Sequence, residues 1–90
     1  MKEVHIVISG IVQGVFFRSS IDQQAKQHRI TGWVRNTQQN TVEAVFQGES
    51  ENVNAIIEWC KKGPENAQVT NIVINDQPLT APYPDFRIVL

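Results

Sequence analysis

Cysteine is scarce in this 90-residue chain, and neither sign of charge is in clear excess. The one cysteine, Cys60, has no partner for an internal disulfide and rules out a metal site made only of cysteines; a single reduced thiol suits a cytoplasmic protein. Eight basic and nine acidic side chains give a formal net charge of -1, without the basic block that follows a nucleic-acid backbone or an anionic membrane. We therefore expect no nucleic-acid or membrane partner, and any anion site must be local.

Long hydrophobic runs are absent too. Met1, Lys2 and Glu3 lead directly into a short apolar segment that His5 interrupts, so neither a secretory signal nor a membrane-spanning segment is predicted. Residues 1–90 suffice for one domain, which would bury about 60 to 70 per cent of the surface of the unfolded chain. No linker, repeat or low-complexity tract divides the sequence. We expect a single cytoplasmic domain that works as a monomer.

Apolar periodicity predicts five strands and two helices. The strands span residues 4–8, 30–36, 41–47, 69–74 and 86–90, the first helix carries Phe17, Ile21, Ala25 and His28, and the second carries Val53, Ile56, Ile57 and Cys60. Ser50 is the expected N-cap of the second helix, and Gly63-Pro64 ends it. The element order predicts an α+β fold, a ferredoxin-like βαββαβ sandwich. Two helices would cover one face of an antiparallel sheet that has a short extra C-terminal edge strand.

The glycine-punctuated run from Gly10 to Arg18 lies between the first strand and the first helix. Backbone N–H groups at a helix N-terminus lack intrahelical partners and carry the positive end of the dipole, and glycine lets the backbone curl around an oxyanion. The guanidinium of Arg18 adds a permanent positive charge. A right-handed crossover makes strands 1 and 2 parallel, with strand 3 between them, so Asn36 comes within about 10 Å of Gly10. We expect Arg18 and Asn36 to face one anionic ligand.

Residues 8–18 and 32–48 contain two motifs that resemble those of the acylphosphatase family, and the resemblance extends over nearly the full chain. The first family pattern, aliphatic-x-Gly-x-Val-Gln-Gly-Val-x-Phe-Arg, is filled by Ile8, Gly10, Val12, Gln13, Gly14, Val15, Phe17 and Arg18. The second pattern is matched by Gly32–Asn36, Val42 and Gly48, and further matches are Gly63-Pro64, Ala67, Val69 and Phe86–Ile88. Asn40 stands where the second pattern has a glycine. Asparagine tolerates the left-handed backbone conformation, so we expect this turn to survive.

This resemblance implies a small, stand-alone, bacterial-type acylphosphatase, which hydrolyses an acyl phosphate to a carboxylate and inorganic phosphate without a metal, a cofactor or a phosphoenzyme. It implies that Arg18 binds the phosphate and that Asn36 holds the attacking water. The backbone N–H groups expected to bind the substrate phosphate are those of Gln13, Gly14, Val15, Phe16, Phe17 and Arg18. Inorganic phosphate or sulfate would compete for the same place. Small, generic substrates are expected, because such a site recognises the phosphate rather than the acyl group.

The chemistry of an acyl phosphate fits a site of this kind. Its leaving group is a carboxylate whose conjugate acid has a pKa of about 4, so it departs without a general acid. Stabilisation of charge on the phosphoryl oxygens and in-line placement of a water are then the main requirements. No protein base for the water is evident. This leads to the hypothesis that its proton passes to the substrate's own phosphate oxygen.

Other interpretations of these residues stay open. Asn36 is equally suited to capping a hairpin turn, and the fold also suits a non-catalytic sensor of phosphate or of a phosphorylated metabolite. A similar domain occurs at the front of larger carbamoyl-phosphate-processing proteins, although a chain ending at Leu90 favours a stand-alone role. An RNA-binding module is disfavoured, because residues 41–46 lack the basic and glycine positions of an RNA-recognition strand. Cys60 is expected to be buried, and His5 to lie on the open face of the sheet.

Overall fold

The computed structural model describes all residues from Met1 to Leu90 and contains the five strands and two helices that the sequence predicts. In chain order the elements are β1 (Lys2–Ile11), α1 (Phe17–Gln27), β2 (Thr31–Asn36), β3 (Val42–Gly48), α2 (Ser50–Lys62), β4 (Gln68–Gln77) and β5 (Phe86–Ile88). Neither helix has the length and apolar character needed to cross a bilayer.

The strands form one sheet in the order β4-β1-β3-β2-β5. Strand β3 lies between β1 and β2 and is antiparallel to both, so β1 and β2 are parallel, as the predicted crossover requires. The ferredoxin-like sandwich is confirmed, but its sheet is mixed, because β5 pairs in parallel with β2 through Gly32 and Phe86. The chain leaves β4 at one edge and crosses to the opposite edge, where it enters the sheet beside the start of β2. That path makes β5 run in the direction of β2.

Side-chain alternation divides the sheet into a buried and an open face. In β1 the side chains of Val4, Ile6 and Ile8 are fully buried against the helices. The helices contribute their predicted apolar positions, including Phe17, which packs edge-on against Trp59 with ring centroids 5.8 Å apart. The buried core comprises Val4, Ile6, Ile8, Val12, Phe17, Ile21, Ala25, Ile30, Val34, Val42, Ala44, Phe46, Val53, Ile56, Ile57, Cys60 and Phe86. The predicted burial of Cys60 is confirmed, and this burial raises the pKa of its thiol.

Element boundaries differ from the sequence prediction by one to three residues, and β1 and β4 extend beyond their predicted bounds at both ends. Helix α1 ends at Gln27 with His28 as its C-cap, and β5 ends at Ile88, two residues before the predicted end. The N-cap of α2 is Glu49 rather than Ser50, because the Glu49 carbonyl already accepts a 2.9 Å hydrogen bond from the helical amide of Val53. Neither helix has a side-chain N-cap bond, so tertiary packing rather than capping determines where they begin.

Residues 78–85, the crossing segment, close over two polar side chains on the open face of the sheet. Glu3 and Gln47 are only 1% and 3% exposed. One carboxylate oxygen of Glu3 accepts bonds from the Gln47 amide at 2.9 Å and from the Thr80 amide and hydroxyl, both at 3.1 Å. The side-chain oxygen of Gln47 accepts a 3.1 Å bond from the Tyr83 backbone amide. This hydrogen-bonded cluster holds the proline-rich segment against the sheet.

The pKa of Glu3 reflects two opposing effects in this cluster. Burial by itself raises the pKa of the carboxyl group, since the ionised form loses hydration. The bonds donated by Thr80, Gln77 and Gln47 together outweigh burial and hold the pKa of Glu3 below its ordinary value. The ionised carboxylate is therefore the form that the folded structure stabilises.

Candidate active site

A cleft at the end of the sheet where β2 terminates contains both Arg18 and Asn36, the two side chains that the sequence singles out. Arg18 lies in the first turn of α1, and Asn36 is the last residue of β2. Because β1 and β2 are parallel, the loop that follows β1 and the C-terminal end of β2 lie at the same end of the sheet. This α1–β2 cleft has a volume of about 380 Å³ and is lined by Val12, Gly14, Phe16, Phe17, Arg18, Ser19, Asn36 and Ile88.

The loop between β1 and α1, which borders this cleft, contains unpaired backbone donors. The N–H groups from Gln13 to Arg18 donate no hydrogen bond to any backbone or side-chain acceptor, and the helix ladder begins only with the Ser20 amide on the Phe16 carbonyl. Gly14 and Phe16 both have left-handed backbones, with φ of +75° and +63°. No other atom would lie within 4 Å of a Cβ on Gly14, so this glycine is needed for its φ rather than for space. Of these six residues, Gln13 and Val15 do not line the cleft and the other four do. Unpaired donors at a helix N-terminus favour an anion.

Arg18 contributes a charge that the protein itself does not neutralise. Its guanidinium takes part in none of the ion pairs or side-chain hydrogen bonds of the structure, and the first turn of α1 contains no acidic residue. A cation beside the positive end of a helix dipole is unfavourable on its own, by about 0.3–1 kcal/mol. A bound anion would remove this penalty, which is the arrangement expected of a ligand-binding arginine.

Asn36 has an unsatisfied polar atom at the cleft. Its carboxamide oxygen is buried and has no hydrogen-bond partner, a state that costs about 1–3 kcal/mol relative to a satisfied group. Asn36 does not cap the hairpin turn, because Thr37 has that role: its amide donates to the Thr41 carbonyl at 2.9 Å, and its hydroxyl accepts from the Gln39 amide at 3.2 Å. The Asn36 oxygen thus keeps its full capacity to accept a hydrogen bond.

A further contact, which the sequence analysis missed, fixes the loop relative to the hairpin. The Gln13 side-chain amide donates 2.9 Å hydrogen bonds to the backbone carbonyls of both Thr37 and Thr41. The sequence analysis assigned Gln13 only a backbone role. The sequence contained one signal of a side-chain role. The first motif specifies glutamine at this position, although an anion site made of backbone groups does not require a side-chain amide.

The hairpin turn keeps its form although a glycine is replaced. Asn40 adopts φ +62°, the left-handed conformation expected at this position. The Thr37 and Thr41 hydroxyls, 2.6 Å apart, close the turn next to it. The expectation that asparagine preserves this turn is confirmed.

Ionisable groups other than Arg18 lie outside the α1–β2 cleft. His5 and Arg35 contact separate oxygens of Glu43, each at 2.6 Å, on the open face of the sheet, where His5 was predicted. The hydrogen bond from His5 is the main reason that the pKa of Glu43 lies below its ordinary value, and Arg35 lowers this pKa further against the opposing effect of burial. Glu43 borders a separate depression, which Asn36 also lines, and is already engaged by the side chains of His5 and Arg35. The chain has no grouping of three or more His, Cys, Asp or Glu side chains suited to a metal ion.

Comparison with known proteins yields consistent matches over nearly the whole chain. The family model described as acylphosphatase matches residues 4–88. An acylphosphatase of Syntrophus aciditrophicus is 45% identical over 89 residues, which are 99% of this chain and 93% of that protein. The crystal structure of acylphosphatase from Bacillus subtilis has a TM-score of 0.96 at 29% identity and covers 100% of both chains. A Coxiella burnetii acylphosphatase structure has a TM-score of 0.92 at 38% identity, covering 98% of this chain and 92% of that one.

Proposed function

The chain belongs to the acylphosphatase family, and from this premise we propose how its α1–β2 cleft carries out the hydrolysis of acyl phosphates. In this mechanism Arg18 and the backbone N–H groups from Gln13 to Arg18 bind the phosphate, and Asn36 positions the attacking water. One observation carries the assignment: unpaired donors, an unpaired guanidinium and an unsatisfied amide oxygen share one cleft.

Phosphate binding by this loop follows from its charge and shape. Phosphoryl transfer spreads negative charge over the three equatorial oxygens of phosphorus, and fixed donors aimed at those oxygens stabilise the transition state. The N–H groups from Gln13 to Arg18 have no competing partner, so they are available without breaking a bond. The guanidinium of Arg18 adds two parallel donors to one phosphate, which a point charge cannot match.

Asn36 acts on the nucleophile. Its unpartnered carboxamide oxygen accepts a hydrogen bond from water and so directs a lone pair of that water towards phosphorus. The attack is direct, without a phosphoenzyme. The Ser19 hydroxyl is the one side-chain nucleophile lining the cleft, and it donates instead to the Phe16 carbonyl at 3.1 Å.

The remaining bonds and protons balance without an enzyme acid or base. The bond between phosphorus and the acyl oxygen breaks with its electron pair going to the carboxylate, while the water oxygen bonds to phosphorus. The proton of the water passes to a non-bridging phosphate oxygen of the substrate. In support of this route, Arg18 is the only ionisable side chain that lines the cleft, and an arginine stays protonated at neutral pH.

We also propose that residues 1–90 act as one domain and as a monomer in the cytoplasm. In support of one domain, the buried side chains of the sheet and both helices form one cluster. Inorganic phosphate and sulfate are expected to compete with substrate, since both present the oxyanion that the loop binds.

The test is hydrolysis of acetyl phosphate by the purified protein in heavy-oxygen water with excess chelator. Label found only in inorganic phosphate, with turnover lost in an Arg18→Ala variant prepared identically, supports metal-free attack of water on phosphorus at this loop. Label in acetate would show attack on the acyl carbon and overturn the assignment of Asn36. A folded protein that binds phosphate without turnover would indicate a sensor.

A further inference from the structure

Phe16 combines two features that the fold alone does not explain. Its side chain is 79% exposed, and Phe16 is the one aromatic residue among the exposed large hydrophobic side chains. Its backbone is left-handed, at φ +63°, a conformation that is strained for a bulky residue. Position 40 has the same conformation, but its residue is an asparagine, which tolerates it. A glycine or an asparagine at position 16 would serve the loop backbone at lower cost.

The hydrophobic core does not require the Phe16 ring either. The ring belongs neither to the buried core nor to the aromatic pairs formed by Phe17 with Trp59 and by Phe46 with Phe86. What the side chain does line is the α1–β2 cleft. Its role is therefore to be sought in what that cleft binds.

Half of the residues that line the cleft are apolar. Four of its eight lining residues are hydrophobic: Val12, Phe16, Phe17 and Ile88. Ile88, on the edge strand β5, is also 43% exposed despite its apolar side chain. The only charged lining residue is Arg18, which the proposed function commits to the phosphate, so no cation is left to pair with a charged acyl group.

In an in-line displacement the acyl group departs on the side of phosphorus opposite the water. With the phosphate at the loop donors and the water at Asn36, the acyl group must lie elsewhere along the cleft, against its remaining lining. We propose that Phe16 and Ile88 form an acyl subsite that favours uncharged, apolar acyl phosphates, aromatic ones above all. This inference rests on the proposed function. It narrows the generic substrate range expected from the sequence.

The test compares kcat/KM for benzoyl phosphate and acetyl phosphate in four proteins: wild type, Phe16→Asn, Phe16→Tyr and Ile11→Thr. Asparagine keeps the left-handed backbone but removes the ring, whereas tyrosine keeps the ring. Ile11 is a matched control, because it is an exposed apolar residue of the same segment that does not line the cleft. The ratio of the two kcat/KM values is expected to fall about tenfold in Phe16→Asn and to stay near wild type in Phe16→Tyr and Ile11→Thr.

The ratio of the two kcat/KM values distinguishes loss of the acyl subsite from damage to the phosphate-binding loop. A misplaced loop would slow the hydrolysis of both substrates by the same factor and leave the ratio unchanged. An unchanged ratio in Phe16→Asn, with both substrates still hydrolysed, would overturn the subsite while leaving the proposed function intact. Should Phe16→Asn fail to fold, Phe16→Gly gives the same comparison. If the wild type hydrolyses neither substrate, the proposed function fails, and the subsite fails with it.

Discussion

The side-chain amide of Gln13 donates a 2.9 Å hydrogen bond to the backbone carbonyl of Thr37, the residue that follows Asn36. A second bond of the same length joins Gln13 to Thr41 on the other side of the hairpin turn. One side chain thus ties the loop that presents the phosphate donors to the strand end that carries Asn36. Under the proposed function, this link sets the distance between the bound phosphate and the attacking water.

Replacement of Gln13 by methionine keeps the length of the side chain but removes both donors. We expect kcat for acetyl phosphate to fall about tenfold to a hundredfold, because small displacements of reacting groups cost that much. The half-buried Thr37 carbonyl would lose this donor, whereas the Thr41 carbonyl keeps its bond from the Thr37 amide, so we expect the free energy of unfolding to fall by about 1 kcal/mol. Steady-state kinetics and urea denaturation measure the two effects. Gln38→Met, at an exposed position of the hairpin, is the control, and a wild-type kcat in Gln13→Met would remove the positioning role.

Arg18→Lys tests whether the phosphate is held by a planar fork or by charge alone. Lysine keeps the charge but loses the two parallel hydrogen bonds, so kcat/KM is expected to fall about tenfold to a hundredfold and inhibition by inorganic phosphate to weaken with it. Arg29→Lys, at an exposed arginine without an ion pair, provides the comparison. Near-normal kinetics in Arg18→Lys would show that charge alone suffices.

Glu3 makes stability depend on pH through the cluster beneath residues 78–85. Its pKa is lower in the folded protein than the ordinary 4.5, so its contribution to stability is complete above that value. The contribution is lost as pH falls through the lower pKa of the folded state. We expect Glu3→Gln to lower the free energy of unfolding by about 2 kcal/mol at neutral pH, and by less in acid, where the wild type has also lost the carboxylate.

Urea denaturation of the wild type and Glu3→Gln at neutral and acid pH measures this difference. Glu43, whose pKa is also lowered, contributes equally to both proteins and cancels in the comparison. Glu65→Gln, on the exposed surface, is the matched control. A difference between wild type and Glu3→Gln that does not change with pH would contradict the role given to the ionised carboxylate.

Asn40→Gly restores the residue of the family pattern at a left-handed position. Glycine adopts φ +62° more readily than asparagine, so we expect the folded state to gain a few tenths of a kcal/mol, partly offset by the greater freedom of the unfolded chain. Turnover should not change, since Asn40 does not line the cleft. Thermal unfolding measured alongside kcat checks both statements, and a marked loss of activity would assign Asn40 a part in the site.

The sequence predicts the element order and the meeting of Arg18 with Asn36 for a physical reason. Apolar periodicity locates the strands and helices, and the handedness of the crossover then determines which strand ends share an edge. The bonds of Gln13 could not be predicted in this way. They join groups 24 and 28 residues apart, and their formation depends on the final distance between a loop and a hairpin.

The cluster around Glu3 was also beyond the sequence analysis. Glu3 and Gln47 alternate with core residues, a pattern typical of side chains that face solvent on the open side of a sheet. They are buried only because residues 78–85 cross above them. A proline-rich segment has no periodicity from which its path can be inferred, and the parallel direction of β5 follows from that same path.

The central claim is that Arg18 binds the phosphate and Asn36 positions the water. Phosphate binding and turnover measured on one preparation of Asn36→Ala test it most directly. Arg18→Ala and Asn66→Ala, a control at an exposed position, are measured in the same way. We expect Asn36→Ala to bind inorganic phosphate nearly as tightly as the wild type while kcat falls about a hundredfold to a thousandfold. Arg18→Ala should lose both properties together. A folded Asn36→Ala that turns over substrate at the wild-type rate, or that loses phosphate binding as severely as Arg18→Ala, would contradict the mechanism.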